Sequence, residues 1–149
     1  MVSKMGLTLK IHRIPKFVLV GITGAVVNLG AMWLLVEVFG LSDYFFKNLA
    51  NIVSMETSIF YAFVFNRLWT WGDIPRKRGK KLILQFVLFN FSVLASVVVR
   101  ILLFALIELI GLHYLINVTI GIGAGAIINF VFYDKIVFKG GGYYEPKSL

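Results

Sequence analysis

Of 149 residues, 59% are hydrophobic and only 15% charged, with a mean hydropathy of +0.87, far from the soluble balance of about 45–50% apolar and 25% charged. So few charges cannot clothe the surface of an ordinary domain, and the apolar residues come in long runs rather than a periodic stripe, so a water-soluble globule is the poor reading. The net charge of +8 would suggest nucleic acid in a soluble protein, but here the excess cations sit at the ends of apolar runs, and no cysteine is present to form a disulfide, a thiolate metal site or a cysteine nucleophile.

A helix needs roughly 20 mostly apolar residues to cross a hydrocarbon core about 30 Å thick, and four segments qualify. They run from about Phe17 to Phe39, Asn48 to Trp69, Leu82 to Ile110 and Leu115 to Phe138. The expected fold is an all-α membrane protein of four transmembrane helices in two helical hairpins, forming a single domain. Pro15 suits the start of the first helix, and Gly40 and Gly111 end the first and third. The N-terminal run resembles a secretory signal but is longer than the usual apolar core and lacks a small-residue cleavage site, so it reads as a retained helix. Residues 72–81, with Asp73, Pro75 and the cluster Arg76, Lys77, Arg78, Lys80 and Lys81, form the one substantial loop. The tail from Gly140, with Tyr143, Tyr144, Glu145 and Pro146, reads as loose.

Lys4, Lys10, Arg13 and Lys16 precede the first helix, Arg67 and the basic loop join the second to the third, and Lys135, Lys139 and Lys147 follow the fourth. The opposite side offers only Lys47. The positive-inside rule therefore places both termini in the cytoplasm and argues against insertion both ways. The same cations supply contacts for anionic lipid head groups. A weak internal repeat is also visible: Phe17-Val18-Leu19 opens the first helix as Phe86-Val87-Leu88 opens the third. Phe63-Val64-Phe65 likewise recurs as Phe130-Val131-Phe132. Such halves would be parallel two-helix repeats, a pattern common in transporters.

An ionisable residue at depth costs about 2.5–3.5 kcal/mol on insertion scales, so each one needs compensation. Glu56, about eight residues into the second helix from its outer end, and Arg100, about ten into the third, lie at similar depth and are candidate partners. Asn28 and Asn129 add polar groups to the first and fourth helices, with Ser92 and Ser96 on the third and Ser54, Thr57 and Ser58 on the second. Interhelical glue is the simpler role for the asparagines, with Gly21, Gly24, Gly121 and Gly125 allowing close approach. The charged pair gains little from a purely structural bridge, because desolvation commonly cancels its attraction, and so favours function. At the inner edge, Asn66-Arg67-Leu68-Trp69-Thr70-Trp71 reads blandly as an interface anchor. Functionally it reads as a head-group site in which a guanidinium meets phosphate and an indole stacks on sugar.

The start Lys16-Phe17-Val18-Leu19-Val20-Gly21 with Asn28, the segment Phe65-Asn66-Arg67-Leu68-Trp69-Thr70-Trp71, the pair Gln85-Phe86, and Ile128-Asn129-Phe130 leading to Val137-Phe138 together resemble the GtrA-like family. That family shares its four-helix domain with the membrane part of some dolichol-phosphate mannose synthases, and the resemblance spans about Arg13 to Lys139. Trp71 stands where Phe is more usual, and Tyr133-Asp134-Lys135 departs from the asparagine-arginine pattern. The resemblance implies a role in cell-surface polysaccharide synthesis: translocating a polyprenyl-phosphate-linked monosaccharide across the cytoplasmic membrane, beside a glycosyltransferase partner. Substrate contact would fall to Asn28, Glu56, Asn66, Arg67, Trp69, Arg100 and Asn129. The main rival is a non-transporting anchor or scaffold for that glycosyltransferase, and a small drug exporter using Glu56 is a weaker third. An enzyme is the less favoured class. The sequence carries no nucleotide-binding glycine motif and no metal-ligand spacing, and His12 and His113 fall at opposite faces, so no catalytic residue, metal or cofactor is expected. A parallel homo-oligomer is plausible for so thin a bundle.

Overall fold

A computed structural model of the chain describes residues 2–41, 43–111 and 113–139. It is all-helical there, with four long helices: α1 (Val2–Trp33), α2 (Tyr44–Phe65), α3 (Lys80–Glu108) and α4 (Tyr114–Phe132). Three stretches are long and apolar enough to cross a membrane: Ile11–Val38, Lys80–Ile107 and Thr119–Val137. The expected second span is the one that falls short by this measure, because α2 carries Lys47, Asn48, Asn51 and Glu56 within a helix of 22 residues. Outward faces are largely apolar, with Leu29 72% and Ile127 66% exposed. That is costly in water and natural in lipid.

The first helix departs most from expectation. It begins at Val2, and Pro15 sits inside it rather than at its start. Proline forfeits one helical hydrogen bond, the one to the carbonyl of Ile11. The turn concerned, with Ile11, His12, Ile14 and Pro15, is exposed, so the loss falls outside the packed part of the helix. Gly40 and Gly111 do take the left-handed conformation, at φ of 70° and 69°, that a helix-ending residue needs. The tail from residue 140 and Ser42 lie outside the described residues.

Three helices end in a wide turn closed over five residues rather than four. The amide of Phe39 donates to the Leu34 carbonyl (3.1 Å), that of Trp71 to Asn66 (2.8 Å) and that of Phe138 to Tyr133 (2.8 Å). Each inserts one extra residue into the helical register, a feature often found at functional sites. In the second and third cases the register change delivers the ring that follows into the interior, since Trp71 is 1% and Phe138 2% exposed.

The chain forms two compact units, Met1–Gly72 and Asp73–Leu149. In the first, α1 packs on α2 and the turn after it through Phe17 edge-on to Trp71 at 6.3 Å, Gly24 near Ser58 and Ala62, and the Ser54 hydroxyl beside the Met32 sulfur at 3.9 Å. In the second, α3 packs on α4. Phe89 stacks on Tyr133 at 4.2 Å and meets Phe138 edge-on at 6.3 Å, and the Asn117 amide donates to the Phe104 carbonyl at 3.0 Å. The repeat glimpsed in the sequence thus has a backbone counterpart. After Phe63-Val64-Phe65 and after Phe130-Val131-Phe132 the same wide turn follows, closed by the same bond and followed by a buried aromatic ring.

Candidate head-group edge and the polar interior of each unit

In the first unit the wide turn sorts the residues of the 66–71 segment by direction. Asn66 and Thr70 point inward, and the Thr70 hydroxyl donates to Asn66 Oδ1 at 2.9 Å in a buried bond. Asn66 therefore holds the wide turn through Thr70. Trp71 also goes inward, while Trp69 is 45% exposed and Arg67 half-buried. Lys16 of α1 brings its ammonium to 5.8 Å from the centre of the Trp69 ring, within cation–π range. Directly beside this edge lies an apolar groove of about 500 Å³, bordered by Leu19, Val20, Tyr61, Phe65, Leu68 and Trp69. A cationic rim, an accessible indole and an adjoining apolar groove offer separate places for a phosphate, a sugar face and a hydrocarbon chain. Lys16 reads from sequence as a topology signal. The repeat could have flagged it, because it precedes Phe-Val-Leu as Gln85 does in the second half.

Asn28 is half-buried on α1, and Glu56 is exposed on α2, about 18 Å along that helix from Tyr44 at about 1.5 Å per residue. In the second unit Arg100 is exposed about 12 Å along α3 from Glu108. Its aliphatic stem lies on the glycine face of α4: a Cβ at Gly125 would sit 3.0 Å from Arg100 Cδ, and one at Gly121 would sit 3.9 Å from Cγ. A side chain at Gly125 would press on the stem, which would have to yield by a few tenths of an ångström. Arg100 also borders a groove of about 340 Å³ with Val97, Ile101, Phe104, Asn117 and Gly121.

Asn129 is held at both ends of its amide. The Ser92 hydroxyl donates to its Oδ1 at 2.9 Å, and its Nδ2 donates to the Ser96 hydroxyl oxygen at 3.2 Å. Ser96 in turn donates to the Val93 carbonyl at 2.8 Å. The glue reading of this asparagine thus has a definite geometry, a three-residue bridge between α3 and α4. Gln85 and the lysines near it were not among the expected site residues, yet Gln85 is 4% exposed and donates through Nε2 to the Val137 carbonyl at 2.9 Å.

An all-helical chain with several apolar spans and a cation–indole edge is a multi-pass membrane protein. More narrowly, the model of the GtrA/DPMS transmembrane domain matches residues 16–138, and the chain belongs to that family. It is also 35% identical over 113 residues to a dolichol-phosphate mannosyltransferase of Pyrococcus furiosus, a match that covers 76% of this chain but 30% of that protein.

Proposed function

We propose that the chain translocates a polyprenyl-phosphate-linked monosaccharide across the cytoplasmic membrane for cell-surface glycan synthesis. It would act without catalysing a covalent step and without a cofactor. The observation that carries this reading is the edge of the first unit, where the Lys16 ammonium lies over the Trp69 ring and Trp69 in turn borders an apolar groove of about 500 Å³, with Arg67 in the same turn. The guanidinium and ammonium receive the phosphate, the Trp69 face receives the sugar, and the first isoprene units lie along Leu19, Phe65 and Leu68. Asn66 holds the turn that presents Arg67 and Trp69. In this reading the chain crosses the membrane four times as two hairpins with both termini cytoplasmic, which puts the edge in the leaflet where a glycosyltransferase makes the substrate. Asn28 and Glu56 in the first unit, and Arg100 in the second, each supply a polar group at depth, with Asn129 keeping α3 and α4 in register beside Arg100.

The rival reading, a membrane anchor for a glycosyltransferase, is supported by the mannosyltransferase relative, of which this chain matches only a part. Reconstitution into liposomes separates the two. A labelled polyprenyl-phosphate sugar supplied on one leaflet should appear on the other, and Arg67→Ala and Trp69→Ala should each abolish its appearance. Equal appearance in protein-free liposomes and in liposomes containing the chain would favour the anchor. Unchanged binding of the lipid by both variants would reduce the edge to an interface anchor.

A further inference from the structure

The second unit carries a polar site that the translocation reading does not use. Gln85 is nine-tenths buried or more in the first turns of α3. The Val137 carbonyl, at the end of the second unit's wide turn, can only accept a hydrogen bond, so the amide must turn Nε2 toward it, as the 2.9 Å contact shows. That orientation fixes the other end: Oε1 is buried and has no hydrogen-bond partner among the described residues. A buried amide oxygen left unmet is unfavourable, so a ligand that donates to it has a ready gain. Beside it opens a cavity of about 410 Å³ bordered by Lys77, Lys81 and Lys139, with Leu84, Leu88 and Ile136 as its apolar wall. Lys77 is anchored there, with its ammonium 3.5 Å from the same Val137 carbonyl.

Three ammonium groups select for a phosphate, while a buried acceptor among them selects for a hydroxyl, which no bare phosphodiester supplies. We infer that this cavity binds a phosphate-bearing polyol head group, the phosphate held by Lys77, Lys81 and Lys139 and one hydroxyl donating to Gln85 Oε1. The site is distinct from the Lys16–Trp69 edge. Its chemistry is shared by a bilayer lipid such as phosphatidylglycerol and by a lipid-phosphate sugar.

Native mass spectrometry of the purified full chain, titrated with defined lipids, tests this directly. Phosphatidylglycerol should bind about three- to tenfold more tightly than phosphatidylmethanol, which carries the same single charge and no hydroxyl, because one hydrogen bond to a buried acceptor contributes about 0.5–1.5 kcal/mol. Lys81→Ala with Lys139→Ala, both exposed positions, should weaken both lipids about tenfold or more and leave their ratio unchanged. Gln85→Met should erase the ratio. If that variant fails to fold, the wild-type ratio still decides. Equal binding of the two lipids, or no loss in the double lysine variant, would overturn the inference and leave an unselective basic rim. Competition with farnesyl-phosphoryl-mannose identifies the source: displacement of phosphatidylglycerol at lower concentration supports a substrate site, and retention supports a bilayer-lipid site. Because the readout is binding at the second unit, its failure leaves the translocation assay of the first-unit edge unaffected.

Discussion

The Asn129 bridge yields a number before any experiment. Asn129→Ala removes two hydrogen bonds between α3 and α4, and polar contacts between membrane helices average about 0.6 kcal/mol, with a maximum near 1.7. The two are not equal. Ser92 is fully buried and gives its proton to Asn129 at 2.9 Å, whereas Ser96 only accepts from Asn129, at 3.2 Å, and spends its own proton on the Val93 carbonyl. Loss of Asn129 therefore strands the Ser92 donor but leaves the Ser96 proton satisfied. Two double-mutant cycles, Asn129→Ala with Ser92→Ala and Asn129→Ala with Ser96→Ala, should return coupling of about 0.6–1.7 kcal/mol for the first and less than about 0.6 kcal/mol for the second. Each cycle cancels the packing lost on truncating either partner alone. Reversible unfolding in mixed detergent and sodium dodecyl sulfate micelles measures it. A larger value for Ser96 would refute the ranking of the two Asn129 bonds, and coupling below about 0.2 kcal/mol in both cycles would refute the assignment of Asn129 as glue. So would wild-type stability of Asn129→Ala combined with loss of lipid binding, which would return the residue to the substrate path.

Arg67→Lys keeps the charge but loses the planar fork, so binding of a lipid-phosphate sugar should fall about tenfold; wild-type affinity would show that charge alone suffices there. At Gly125 the new side chain must displace the Arg100 stem, whose Cδ lies 3.0 Å from the site of a Cβ. Gly125→Ala should stay within about 1 kcal/mol of wild type because an exposed arginine can yield, and Gly125→Leu should cost about 1–3 kcal/mol by overpacking, as unfolding will show. For topology, Asp43→Cys should react with a membrane-impermeant maleimide from outside intact cells and Asp73→Cys should not, and the opposite pattern would invert the orientation derived from Lys and Arg.

The helices were legible because long apolar runs can do little else, and Gly40 and Gly111 marked two of their ends. Pro15 misled because a proline compatible with a helix start is also tolerated in an exposed turn of a helix already under way. The wide turns left no composition to read, since Asn66–Thr70 and Tyr133–Val137 share almost no chemistry. Their common sign is an aromatic residue just beyond, Trp71 or Phe138, that the extra residue turns inward. Residue type pointed to Asn129 as glue but not to its partners, because these depend on register, and nothing in the 66–71 segment showed that Asn66 would accept from Thr70 one turn away. Gln85 is the clearest omission. The sequence marks Gln85 only through the resemblance carried by Gln85-Phe86, and it is the Val137 carbonyl that gives its amide direction.

Glu56 and Arg100 raise the remaining question, because both are exposed on helices whose surroundings are apolar. A lone carboxylate or guanidinium facing hydrocarbon costs about 2.5–3.5 kcal/mol even with the relief of snorkelling, and removing one member of a desolvated pair costs about 3–5 kcal/mol. If the two serve each other, Glu56→Arg and Arg100→Glu should each lower the folded yield sharply, and the double reversal should restore most of it. If Arg100 serves the lipid phosphate during passage, the double reversal should fold yet fail to transport, since a carboxylate at position 100 repels the phosphate that the guanidinium would receive. Disulfide formation between Glu56→Cys and Arg100→Cys, otherwise in this cysteine-free chain, then reports whether the partners lie in one copy or in two: an intramolecular bond leaves the chain monomeric on a denaturing gel, and a bond between copies doubles its mass. Two single reversals that both fold and transport normally would refute the pairing and its role in passage, and would mean that each charge finds water or a lipid head group within reach of its own helix.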